Sequence, residues 1–508
     1  MGSGRGLGFG APSIARHESS VVARAEQCSA LHMALRNPWR WEGQLRGVEL
    51  PCHRTSPVVS CFFRRAQSVS FPAMHLPFSR RLANWLSAFF VGWLGLSAVS
   101  AAADWPQFRG PTGQGLSDEK NLPVKWGGRE KENVLWQSPL NGQGHASPIV
   151  SGDSVFVCTV AWATNGGPRE KSMPAHHVTR YRTTDGQQMW DTLVPPGPWL
   201  RNDFRSGPGG GYAAPTPATD GRRVYALFAS SVLAALDFEG KIVWRKEIIP
   251  HTFDVTIGTS PVLFRDTVLI LCSMAKASDS CLIAFDQTTG DEKWRVKFPD
   301  MGFGHSTPLL IDVKGQPQLL VLASGASVKP NALRALDPAT GRALWWCRGA
   351  GDVSSPTYVS GVVYFDSGRG GAGVAVAPGG EGDITATGVR WNIAQLPEAI
   401  GSPLIVGGHV YRLHSPGVLK CFEAATGKQV YAERLEGLTT TWASPIADGA
   451  GHLFFANAGK SVVLAVGPEF RVLAVNDLGD NNHASAAIAG GKLFLVGTKN
   501  LHCIGNKN

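Results

Sequence analysis

Eight short steps, most of them Ser-Pro or Thr-Pro, recur along the chain, and the residue three places before each proline is often one that can recognise a ligand. Anchored on Pro148, Pro215, Pro261, Pro308, Pro356, Pro403 and Pro445, with Ala486 as a degenerate eighth member, these positions hold His145, Tyr212, Gly258, His305, Val353, Ile400, Trp442 and His483. Tyr212 and Trp442 offer rings for stacking, and the three histidines offer ring nitrogens that donate or accept at neutral pH. A second candidate is the run PPGPWLRNDFRSGPGGG, Pro195 to Gly211, which sets Trp199, Arg201, Asp203, Phe204 and Arg205 among prolines and glycines. That composition suits a lid or a plug folded over a binding site. Neither group contains a nucleophile with its base. The sequence has no G-x-S-x-G elbow, no H-E-x-x-H and no P-loop, so binding is expected rather than catalysis.

The spacing of the anchor prolines says what positions them. Most intervals are 41 to 48 residues, the length of one four-stranded propeller blade. Composition agrees: 60 glycines, 33 prolines, 16 tryptophans and 17% charged residues suit many short strands joined by tight turns. Each copy reads as strand A from the proline, strand B after an Asp/Gly turn, strand C ending near Leu-x-Ala-Leu-Asp, then Thr-Gly and strand D with an aromatic residue. The aromatics are Trp190, Trp244, Trp294, Trp345, Trp391 and Tyr431, each expected to pack on the adjoining blade. The seventh copy lacks Thr-Gly and tryptophan around Gly467 to Val475. The eighth stops after three strands at NLHCIG, while VLWQSPL, Val134 to Leu140, is a lone D-type strand. Joining the two ends predicts a closed all-β ring, an eight-bladed β-propeller of four-stranded antiparallel blades.

The repeat resembles the pyrroloquinoline-quinone (PQQ)-like β-propeller family, which includes quinoprotein dehydrogenases and an outer-membrane assembly lipoprotein. The clearest copies are Thr259 to Trp294 and Ser306 to Trp345, and ADWPQFRGPTGQG at Ala103 to Gly115 resembles the mature head of secreted members. The resemblance implies either a binding scaffold or, as the alternative, a PQQ-dependent oxidoreductase using PQQ with calcium. Quinoprotein dehydrogenases seat PQQ over a disulfide between adjacent cysteines. No Cys-Cys pair occurs here, so no cofactor is expected.

In a propeller the D-to-A and B-to-C connections share one face. Nearly all loop length falls there, at Trp162 to Ala175, Pro195 to Gly211, Met274 to Ser280 and Gly325 to Asn331. That face is the expected site for a protein, peptide or carbohydrate ligand. His145 and His483 start neighbouring blades and His305 starts one nearly opposite, so the three do not form one metal site. His176-His177 reads as a surface or satisfied pair in preference to a metal site.

Charge narrows the partners. Residues 1–103 carry eleven arginines and four acids, which leaves the rest of the +9 chain near neutral, against a nucleic-acid surface. Arg80 and Arg81, an apolar stretch from Leu86 to Val99 and small residues up to Ala103 read as a signal peptide, residues 74–103. Residues 1–73 read as a disordered or untranslated extension, 104–133 as a head segment and 134–508 as the propeller. The expected product is an exported or periplasmic monomer without a membrane span. Cys272 and Cys281 flank one hairpin and could pair across it; buried free thiols are the other reading.

Overall fold

The computed structural model describes residues 104–163, 172–198, 211–248, 257–274, 279–324, 331–438 and 442–507. The signal-peptide and leader readings fall outside these residues, as do Trp199, Arg201, Asp203, Phe204 and Arg205.

Eight four-stranded antiparallel blades form the ring, with blade 4 extended by one short fifth strand. Blade 1 runs Ile149–Ser151, Ser154–Ala161, Ala175–Arg182 and Gln188–Val194, from strand A to strand D. The strands B and C are buried on both faces because a blade lies on each side. Thr267–Cys272 in blade 3 is buried at every position, and Val232–Asp237 in blade 2 at all but the last. Such strands read as continuous apolar runs, whereas the outer strand D alternates or faces water, as Glu292–Lys297 does.

Closure follows the expected route. Val134–Pro139 pairs antiparallel with Asn500–Gly505, placing Trp136 opposite Cys503 and completing blade 8 with strands from both ends of the chain. A sheet closed this way leaves no blade short of a strand.

The Thr-Gly and tryptophan signature has a joint physical cause. The indole of Trp190 in blade 1 lies over the C–D turn of blade 2, donating from Nε1 to the Phe238 carbonyl at 2.8 Å. A Cβ on Gly240 in that turn would come within 2.7 Å of the same indole. Trp136, Trp244 and Trp391 repeat the arrangement on the next blade, bonding to the carbonyls of Thr183, Gln287 and Ala424. Each tryptophan thus needs a glycine one blade further on. Blade 5 replaces its turn with Gly382–Asp383, which adds a parallel edge to Trp345 and Trp346 of blade 4, and a helical turn at Thr385–Gly388.

The head crosses the face that carries the A–B turns. Trp105 bridges Val150, Leu116 bridges Ala447, and the Glu119 carboxylate accepts from the N–H groups of Gly490 and Gly491. Arg109, fully buried, donates from Nη2 to the carbonyls of Gln114 and Pro403. Burial, then the nearby charge of Arg412, lowers its pKa to about 9. Cys272 and Cys281 sit directly opposite one another across strands B and C of blade 3, both as buried thiols.

Candidate functional site

The innermost strands A converge on the propeller axis, and the Ser-Pro step does more there than start a strand. The Ser147 N–H donates to Thr216 Oγ1 at 3.0 Å, Thr216 to Ser260 Oγ at 3.0 Å, Ser260 to Thr307 Oγ1 at 3.0 Å and Thr307 to Ser355 Oγ at 2.9 Å. The series continues from Ser355 to Ser402, Ser444 and Ser485, and the Ser485 N–H returns to Ser147 Oγ at 3.1 Å. The result is a closed cycle of eight hydrogen bonds, one across every blade boundary. Each hydroxyl satisfies a buried backbone donor of the preceding blade, which would otherwise carry a desolvation penalty.

An axial cavity of about 390 Å³ runs through this ring. Its mouth opens among the D-to-A connections, and Phe108 of the head segment lies at its lower end. Six residues singled out three places before an anchor line it beside Trp442: His145, His305 and His483, with Gly258, Val353 and Ile400. Blade 2 differs. Its sequence Ala-Pro-Thr-Pro offers two prolines, and the structure takes Pro217 as the equivalent, so that Thr216 joins the ring and Ala214 reaches the cavity. Anchoring on Pro215 placed Tyr212 at the mouth. It is instead fully buried between blades 1 and 2, its ring 5.8 Å from His176 and 6.5 Å from Trp162.

Trp442, His483 and His145 form one aromatic corner of the mouth. The Trp442 and His483 rings stack at 5.0 Å, with the His145 ring 5.6 Å from His483 and 6.0 Å from Trp442. His145 Nδ1 lies 2.7 Å from Asn482 Oδ1. His305 starts blade 4, four blades from His483, and packs edge-on against Phe303 at 4.7 Å. Burial, then the His145 charge, lowers the His483 pKa to about 4. Among the described residues Arg369 is the one Asp, Glu, Lys or Arg side chain lining the cavity. It lies 4.0 Å from Asp352 and 3.9 Å from Glu398.

Sequence reasoning missed Arg369, Phe108 and the hydroxyls. Arg369 stands alone in a glycine turn, and Phe108 precedes the repeat. The hydroxyls were visible as part of Ser-Pro, but only as strand markers. His176 and His177 face opposite sides of their strand, one on Ser230 Oγ and the other on Asp191 Oδ2, both at 2.8 Å.

The residues present do not suit PQQ with calcium. Among the described residues no carboxylate and no cysteine lines the cavity, and their six cysteines are buried within the blades. No group of three His, Cys, Asp or Glu side chains positioned for a metal occurs among the described residues. None of their helices is long and apolar enough to cross a membrane.

Comparison with known proteins agrees with this geometry. The PQQ_2 family model, described as outer membrane protein assembly factor BamB, matches residues 128–271, 174–381 and 278–504. No curated protein sequence matches. Among solved structures, BamB from Moraxella catarrhalis is similar with TM-score 0.52 and 14% identity, covering 74% of this chain and 98% of its own. Quinohemoprotein alcohol dehydrogenase from Comamonas testosteroni is similar with TM-score 0.55 and 15% identity, covering 80% of this chain and 81% of its own. At these identities the likeness is one of fold.

Proposed function

Since the chain belongs to the PQQ-like repeat family whose model is described as outer membrane protein assembly factor BamB, we propose that it is a binding module of the cell envelope that receives a segment of a partner protein. The observation that carries this reading is the axial cavity. It is concave, partly apolar and walled by strand starts that the hydroxyl ring holds rigid, the arrangement in which binding sites are usually built. At its mouth Trp442 is 40% exposed, unlike the other tryptophans at blade boundaries. An exposed indole on a rigid rim is an anchor of the kind that dominates protein interfaces.

Val353, Ile400 and Trp442 give the wall an apolar part suited to the side chains of a protein segment. Export would bring the chain to its partner, with residues 74–103 removed and Asp104 as the first mature residue. Mass spectrometry of the mature protein tests that start.

The binding reading is tested in cells by placing a photo-crosslinking side chain at position 442, and separately at Leu193, an exposed strand D residue on the outer rim. Adducts with a discrete protein from position 442 and none from position 193 are expected. Equal adducts at the two positions, or none at 442, would sink the proposal.

A further inference from the structure

We infer that the hydroxyl ring is a carboxylate site and that its occupant is the C-terminal carboxylate of a partner chain, an inference that rests on the binding reading above. Each ring oxygen already accepts one backbone N–H, which leaves a hydroxyl proton and a single lone pair. None of the eight protons meets an acceptor among the described residues. All eight side chains border the cavity, and none of the residues is more than 7% exposed. The spare protons therefore face the cavity, where the oxygens of a ligand could accept them.

The sign of the complement follows from what surrounds the ring. Among the described residues Arg369 is the only Asp, Glu, Lys or Arg on the cavity wall, with Asp352 and Glu398 set back 4.0 Å and 3.9 Å from its guanidinium. Hydroxyl donors beneath a guanidinium match an oxyanion, and hydrogen bonds to an ionised acceptor are the strong ones. Above the ring, Val353, Ile400 and the Trp442 indole are poor company for a hydrated inorganic ion but suit the side chains that flank a chain end.

The shape points the same way. Phe108 of the head segment lines the cavity on the side away from the mouth, which suits a ligand that enters at the mouth and ends at the ring. A volume of about 390 Å³ corresponds to roughly a dozen waters, enough for two or three residues. That fits a terminus inserted end-on.

The test uses the full mature chain and a mixture of tripeptides, once with free C-terminal carboxylates and once amidated. Retained peptides are read by mass spectrometry, and sodium acetate is added as a competitor. Free-acid peptides should be retained at least 10-fold over their amides and be displaced by acetate. Arg369→Gln should weaken retention several-fold, and Ser355→Ala with Ser402→Ala should abolish it. If the serine variants do not fold, the acid-to-amide ratio and Arg369→Gln still decide.

Equal retention of acids and amides would overturn the carboxylate site yet leave the binding reading intact, provided that retention falls in Trp442→Ala. Acetate binding without peptide retention would overturn the chain terminus as occupant. Retention of neither form, with no response to acetate, would overturn the inference outright, and the binding reading would then stand or fall on the crosslinks at position 442.

Discussion

The indole of Trp442 lies nearly parallel to the imidazole of His483, with ring centres 5.0 Å apart and planes inclined by 24°. The two residues start neighbouring blades, so the stack bridges a blade boundary at the cavity mouth. It also makes Trp442 a reporter of the His483 charge.

The His483 pKa, lowered to about 4 by burial and then by His145, keeps the stack neutral at physiological pH. Trp442 emission should therefore change with a midpoint near pH 4, well below the 6.5 of an ordinary histidine. Subtracting the titration of Trp442→Phe isolates the signal, and His483→Gln should remove it. A midpoint near 6.5 would contradict the buried, neutral assignment. The same shift has a consequence for stability. A histidine held below its unfolded pKa lets the unfolded chain take the proton first, so stability is full above about pH 6.5 and declines as pH falls toward 4. His176 and His414, both lowered to about 4 chiefly by burial, add to that decline.

Ring substitutions should separate the hydroxyl from its bulk. Ser402→Ala leaves the Ser355 N–H without its acceptor, at a cost of about 1–3 kcal/mol for an unmatched buried donor. Ser402→Thr should cost much less, since Thr216 and Thr307 already fill the same role. Urea midpoints of the two variants test this. Equal losses would mean that the hydrogen bond to the Ser355 N–H is not what holds the ring.

Gly427 lies in the C–D turn of blade 6 under the ring of Trp391 in blade 5, with φ at +73° and an added Cβ only 2.6 Å from the indole. Gly427→Ala should destabilise by at least about 1 kcal/mol through the left-handed backbone alone, and by more through the clash. Placing Gly427→Ala on Trp391→Ala should recover the clash component but not the backbone component. A fully additive double variant in thermal unfolding would show that turn and indole are independent.

Much of the architecture was legible because each blade repeats the same solution. The lone strand at Val134 to Leu140 and the missing strand after Gly505 identified each other, and the tryptophan with Thr-Gly marked every boundary where both occur. Blade 2 shows where repetition runs out. Pro217, preceded by Thr216, fits the Ser-Pro or Thr-Pro step better than Pro215 after Ala214, and the hydrogen bonds from Ser147 and to Ser260 select Thr216. The ring itself was hidden for the same reason: its bonds join residues 41 to 69 positions apart, or 338 at closure, and exist only once the circle is complete. The head left no periodic trace, because it is held by isolated bridges and by side chains such as Arg109 and Glu119.

Beside the cavity, Asp366 and Arg412 join blades 5 and 6 through a two-pronged ion pair, Nε to Oδ2 at 2.9 Å and Nη2 to Oδ1 at 2.6 Å. Burial alone would raise the Asp366 pKa, but the charge and hydrogen bonds of Arg412 outweigh it and hold the carboxyl below its usual range. The Arg412 guanidinium also donates to the carbonyls of Ala399 and Gly401, fixing the strand approach that presents Ile400 and Ser402 to the axis. Both side chains are almost fully buried, so removing one strands a charge. Asp366→Ala should cost about 3–5 kcal/mol in chemical denaturation, far more than an exposed pair would. Asp366→Leu combined with Arg412→Met should be less destabilised than Asp366→Ala, because neither partner is left as an unpaired buried charge. If the double variant is stable yet loses crosslinking at position 442, the pair is held for the geometry it gives the mouth. If crosslinking survives, its role is confined to joining the two blades.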